Sequence, residues 1–243
     1  MIHYERRGAA ALVTIDRPHR HNAIDGEAAR GLHAAFTRFS ADDDAAILVV
    51  TGAGDAAFCA GADLKAIETL DVAAPGGPLG FTRLASPKPT IAAISGHCLA
   101  GGLELALWCD LRVATTTATF GCAERRWGVP LVDGGTQRLP RIVGTGRALD
   151  LVLTGRTIDA REAHTIGLIT QLVDPGTHVA AALALAEAIA RHPRATTNSD
   201  RKALLEGETL ALPEGLALEA RYGSEQLTTA IEGARRFSLR PRP

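Results

Sequence analysis

Residues 88–108 read KPTIAAISGHCLAGGLELALW, and their order decides the architecture. The run TIAAI at 90–94 reads as a short strand. Gly101-Gly102 makes a small-residue turn, and residues 103–108 read as an apolar helix. The same grammar stands upstream. ILVVT at 47–51 is a continuous apolar strand closed by Gly52 and Gly54, and 61–67 is a turn entering a helix.

Working outward, ALVTID at 11–16 reads as a strand ended by Arg17-Pro18. Asp25 is placed to cap a helix whose apolar positions include Leu32, Phe36 and Phe39. Residues 71–80 (DVAAPGGPLG) read as a mobile loop, and 111–114 and 119–120 as short strands. After Gly134-Gly135 everything reads helical, broken at Gly144, Gly155, Gly167, Pro175, Pro193 and Pro213. Strand–helix alternation followed by helices alone predicts an α/β core over 1–190 and a helical module over 191–243.

Composition excludes several classes. Of the 243 residues, 46% are hydrophobic, enough for a core, and only 4% are aromatic, so aliphatic side chains must build it. The formal net charge is −1 and no long block of like charge occurs, which argues against a nucleic-acid partner. The tail is locally basic through Arg235, Arg236, Arg240 and Arg242. No signal-peptide pattern and no membrane-length apolar run is seen, so a soluble, cytoplasmic protein is expected. Cys59, Cys98, Cys109 and Cys122 fit neither CxxC nor a zinc spacing and read as buried thiols in a reducing compartment; no metal site is expected.

Two segments share a form that can carry chemistry. Residues 60–64 (AGADL) and 100–104 (AGGLE) each place small residues after a strand and before a helix. Such junctions present unsatisfied backbone N–H groups with the helix dipole behind them. Two converging donors make an oxyanion hole, although a Gly-Gly pair also serves as a plain tight turn. Glu104, in a first helical turn, suits the dipole there, and Glu124 can pair with Arg125 and Arg126. Asp133 can cap or turn into the next helix.

Taken together, these segments resemble the crotonase superfamily, also called the enoyl-CoA hydratase/isomerase family, over essentially the whole chain. The match runs through Asp16-Arg17-Pro18, Asn22-Ala23-Ile24, the segments 52–54 and 58–64, and 88–106. It continues through Phe120-Gly121 with Glu124, then 134–139 and 153–156. The resemblance implies a crotonase-type spiral of ββα units with a helical C-terminal region, assembled as trimers or dimers of trimers. It implies an acyl-CoA thioester whose carbonyl is held by the N–H groups of Ala62 and Gly101.

In the family's hydratases two glutamates hold one water over the double bond, and the aligned residues are Glu104 and Glu124. Glu104 would activate the water and Glu124 would deliver the α-proton. Asn22, Ala23, Ile24, Ala60, Asp63, Leu64 and Lys65 would line the CoA groove, mostly through backbone, with Lys65 toward the phosphates. No cofactor is implied beyond the CoA of the substrate. The alternatives are enoyl-CoA isomerisation, another crotonase-type lyase or hydrolase reaction, and a non-catalytic acyl-CoA binder.

Departures from the family pattern cluster after the second glutamate. Ala123 stands where common hydratases carry Pro, and residues 125–133 read RRWGVPLVD. Asp133 adds a third carboxylate, one position beyond the catalytic Asp of dienoyl-CoA isomerases, and serves either as a base or as a helix cap. A guanidinium of Arg125 or Arg126 paired with Glu124 would lower its pKa.

Overall fold

The computed structural model describes residues 1–239. Two compact units are seen, Met1–Glu187 and a second beginning at Ala188, a few residues ahead of the 190/191 division expected from sequence.

In the first unit β1 (Ile2–Arg7) and β2 (Ala10–Ile15) form an antiparallel pair, and α1 (Gly26–Ala41) leads to β3 (Ile47–Gly52), parallel to β2. The chain then repeats one unit. β3 is followed by β4 (Ala57–Cys59) and a 3-10 helix, Leu64–Thr69. β5 (Thr90–Ile94) is followed by β6 (His97–Leu99) and α2 (Gly101–Trp108). β7 (Leu111–Thr115) is followed by β8 (Thr119–Gly121) and a 3-10 helix, Ala123–Trp127. The first strand of each repeat joins a six-stranded sheet, ordered β1-β2-β3-β5-β7-β10, and the second joins a four-stranded sheet, β4-β6-β8-β9. Successive repeats pair in parallel in both sheets, so each turn of the chain adds a rung to each. This is the expected spiral of ββα units.

The sequence explains the large sheet directly. All residues of β3 and β5 are buried, as unbroken apolar runs in a parallel sheet require. Asp25 caps α1, its Oδ1 accepting the Ala28 N–H at 2.9 Å, and Leu32, Phe36 and Phe39 face the core. Phe36, Phe81 and Trp108 form one ring cluster with centroids 4.5–5.7 Å apart.

Two expectations are corrected. The region after Gly135 is not wholly helical: β9 (Thr157–Asp159) runs antiparallel to β8, and β10 (Gln171–Val173) parallel to β7. Three-residue strands show no periodicity of their own and exist because a neighbour offers a ladder. The loop 71–80 is folded onto itself at its end. Gly76 through Gly80 are buried, and the N–H groups of Gly80 and Arg83 donate to Gly77 O and Gly76 O. The charged segment at the N-terminus is also a strand, β1, at the sheet edge where polar side chains are tolerated.

Helix α3 (Gly135–Val143), α4 (Thr145–Thr154), α5 (Ala160–Thr165) and α6 (His178–Ala190) follow the spiral. The second unit holds α7 (Arg194–Gly207), α8 (Leu212–Glu225) and α9 (Leu227–Ser238). Pro213 lies in the first turn of α8, where its missing N–H costs nothing. Arg235 and Arg236 close α9; Arg240 and Arg242 lie outside the described residues. Among the described residues no helix is long and apolar enough to cross a membrane.

Candidate active site

The two small-residue turns meet. Ala62 bridges Ile24 in parallel, the bonds running from Ile24 N to Gly61 O and from Asp63 N to Ile24 O, each 2.8 Å. Extended backbone alternates sides, so this pairing turns the Ala62 N–H away from Ile24. Gly101 opens α2, where an N–H has no partner within the helix. The peptide before it is set by Ala100, held at φ 53° and ψ −128°, a conformation L-residues adopt only at a cost.

Glycine is required where the turns touch. A Cβ on Gly61 would lie 2.8 Å from Gly101 N, and one on Gly102 would lie 1.9 Å from Cys59 O. A Cβ on Gly101 would lie 3.7 Å from Ala62 N. Ala62 and Gly101 both line a cavity of about 280 Å³.

Glu104, Glu124 and Asp133 line the same cavity. Glu104, one turn into α2, is 2% exposed, and its Oε1 accepts the N–H groups of Asp133 at 2.9 Å and Gly135 at 2.7 Å. Burial pushes its pKa up to about 7; the Gly135 N–H opposes the shift, and the charges of Asp133 and Glu124 add to it. Its role exceeds a dipole contact with its own helix.

Glu124 is buried on the 3-10 helix, and neither carboxyl oxygen has a hydrogen-bond partner among the described residues. The pairing with arginine is present but loose, through Arg125 alone. Arg125 Nη2 stays 3.9 Å away, and Arg126 Nη2 donates instead to Gly155 O at 3.3 Å. Burial outweighs the Arg125 charge, and the Glu124 pKa is raised. A buried carboxyl without hydrogen bonds is costly to keep.

Asp133 is not a helix cap. Gly134 occupies the cap position of α3 without a side-chain bond, while Asp133 Oδ1 accepts the Leu79 N–H at 3.2 Å and the Thr82 hydroxyl. Its pKa too is raised by burial. The dipole of α3 is served from outside, by Glu104.

The groove residues divide. Ala60 and Leu64 line the cavity. Asn22, Ala23 and Ile24 are buried and do not line it, and Asn22 Nδ2 donates to Ala53 O and Ala57 O. Asp63 caps the 3-10 helix through Lys65 N at 3.2 Å and pairs with Arg17 Nη2 at 3.2 Å. Lys65 is exposed outside the cavity. The sequence reading missed the apolar walls supplied by Leu70, Trp127, Val129 and Val132; Val72 and Pro78, in the loop 71–80, also line the cavity. Apart from Trp127, at the end of a short 3-10 helix, these come from irregular segments, so no periodicity announced them.

All four cysteines are buried, and burial pushes Cys59, Cys109 and Cys122 up to about 12. Such thiols are inert at neutral pH. Among the described residues no cluster of His, Cys, Asp and Glu is arranged to hold a metal ion. The arrangement is compatible with chemistry at an activated carbonyl: backbone N–H groups at the two turns, and buried carboxyls whose pKa values burial raises.

Comparisons with known proteins show the family. The family described as enoyl-CoA hydratase/isomerase matches residues 5–240. A probable enoyl-CoA hydratase of Rhizobium meliloti is 40% identical over 89% of this chain and 86% of its own. A short-chain-enoyl-CoA hydratase of Clostridium acetobutylicum is 34% identical over 93% of this chain and 88% of its own. Among solved structures, an enoyl-CoA hydratase of Mycobacterium marinum has a TM-score of 0.93 at 36% identity, covering 98% of this chain and 95% of its own.

Proposed function

Because this chain belongs to the enoyl-CoA hydratase/isomerase family, we propose that it adds water across the double bond of a 2-enoyl-CoA thioester. The observation that carries the reading is the placement of two buried, high-pKa glutamates, Glu104 and Glu124, on the cavity bordered by Ala62 and Gly101.

In this reading the thioester carbonyl accepts the N–H groups of Ala62 and Gly101, and one water lies against Glu104 and Glu124. Glu104 takes a proton from the water as its oxygen bonds to the β-carbon. The π electrons move toward the thioester oxygen, and Glu124 delivers a proton to the α-carbon. Each donor supplies on the order of 3 kcal/mol to the oxyanion, and each proton transfer about 10²–10⁴ in rate. The CoA portion lies along Asn22–Ile24 and Ala60–Lys65, bound largely through backbone, and no further cofactor takes part. Trimers or dimers of trimers, acting in the cytoplasm, complete the proposal.

A second reading is double-bond migration, favoured by Asp133 as a third high-pKa carboxyl on the same cavity. Product analysis with a 2-enoyl-CoA and a 3-enoyl-CoA separates the two. Hydration predicts a 3-hydroxyacyl-CoA from the first, lost in the Glu104→Gln, Glu124→Gln double variant while acyl-CoA binding persists. Unchanged turnover in that variant would refute the assignment.

A further inference from the structure

Two irregular segments supply walls of the cavity, one containing Leu70, Val72, Pro78 and Leu79, the other containing Val129 and Val132. No ladder of backbone bonds joins irregular walls, so something else must hold their spacing. Arg83 spans them. Its Nη1 donates to Val72 O at 3.0 Å, while Nε and Nη2 donate to Val132 O at 3.3 and 2.8 Å. Its own N–H donates to Gly76 O at 3.1 Å. A Cβ on Gly77 would lie 3.1 Å from Arg83 Cγ, so the bare glycine leaves the side chain its path. Only a planar fork with several fixed N–H groups can grip both carbonyls at once.

Beneath the fork the seam continues inward. Leu79 N and Thr82 Oγ1 donate to Asp133, and Arg138 donates to Asp133 O at 2.8 Å and Thr82 O at 2.6 Å. The inner seam is buried and multiply bonded, whereas Val72 is 56% exposed and its carbonyl is held by the Arg83 fork.

We propose that Arg83 is a specificity-determining residue: by clasping Val72 to Val132 it closes the apolar cavity and sets the longest acyl chain accepted. It touches neither the reacting atoms nor the oxyanion donors and acts through the two walls. The inference rests on the acyl-CoA reading above. Without the clasp the Val72 wall is released and longer tails gain apolar contact, each newly buried methylene tightening binding about fourfold.

The test uses the full chain. Dissociation constants for butanoyl-CoA and decanoyl-CoA are measured for wild type, Arg83→Ala and Arg83→Lys, together with kcat/KM for the matching 2-enoyl esters. The decanoyl-to-butanoyl preference is expected to rise about tenfold in Arg83→Ala. It should rise less in Arg83→Lys, whose ammonium reaches one carbonyl at a time. A merely structural role would weaken both esters alike and leave the ratio unmoved, and an unmoved ratio overturns the proposal. If Arg83→Ala is not recovered folded, Arg83→Lys carries the same comparison. If wild type binds neither ester, the acyl-CoA reading fails and Arg83's role with it; binding with an unmoved ratio rejects Arg83 alone.

Discussion

The Gly135 N–H donates to Glu104 Oε1 at 2.7 Å, so a carboxyl carried by α2 caps the start of α3. Gly134 and Gly135 offer no capping side chain, and a Cβ on Gly135 would lie 3.0 Å from Glu104 Cγ and Oε1. The bare turn is what lets the glutamate in. One side chain thereby satisfies a helix end and holds its carboxyl fixed beside the cavity.

That position has a consequence for pH. With Glu104 near 7 and Glu124 also raised, the two titrate as a pair, and the proposed reaction uses the form holding one proton. Hydration measured as kcat/KM should fall as pH rises through about 7 and fall again at low pH as the second proton binds. Because the folded pKa of Glu104 exceeds its ordinary 4.5, the stability this group contributes is full below 4.5 and lost as pH climbs through about 7. Glu104→Gln cannot ionise and keeps an oxygen for the two N–H donors. It should be more stable than wild type at pH 8 by up to about 3 kcal/mol, with no difference at pH 4. Equal melting curves at pH 8 would contradict the burial argument.

Glu124 invites a similar trade of activity for stability. Both its oxygens are buried without a hydrogen-bond partner among the described residues, and the Arg125 guanidinium stays 3.9 Å off. Replacing it with leucine should raise stability at pH 8 by about 1–3 kcal/mol while hydration falls about 10²–10⁴-fold. Denaturant melts and steady-state kinetics on the same preparation check both halves. A destabilised, inactive Glu124→Leu would mean the carboxyl has a structural partner after all.

Gly102 reports on the meeting of the turns. A Cβ there would sit 1.9 Å from Cys59 O and 2.6 Å from Cys59 C, so the backbone must yield. Gly102→Ala should cost about 1–3 kcal/mol in stability and displace the Gly101 N–H, with a loss of about 10²–10³ in kcat. Gly146→Ala, in α4 with nothing within 4 Å of its Cβ, is the control and should not lower stability.

How much of this was legible beforehand follows from where each feature gets its stability. β3 and β5 could be read because unbroken apolar runs declare themselves, and α1 because Asp25 and its apolar stripe are local signals. β4, β6, β9 and β10 were not seen, since three residues borrow their conformation from a neighbouring strand. At the site, the motif order drew attention to Ala62, Gly101, Glu104 and Glu124. What eluded it was set by distant partners. Asp133 bonds to Leu79 and Thr82 across the fold, Arg126 turns to Gly155 O instead of Glu124, and Arg83 reaches two carbonyls far apart in sequence. Adjacent charges in a sequence suggest pairs that burial and backbone direction then redistribute.

The most direct test of the central claim is to mix the purified protein with crotonyl-CoA, follow the conjugated enoyl-thioester absorbance and identify the product by mass. The account predicts loss of the absorbance with gain of one water, abolished when Glu104 and Glu124 are both changed to Gln. Binding of crotonyl-CoA without any water added, or hydration that survives the double change, would contradict it.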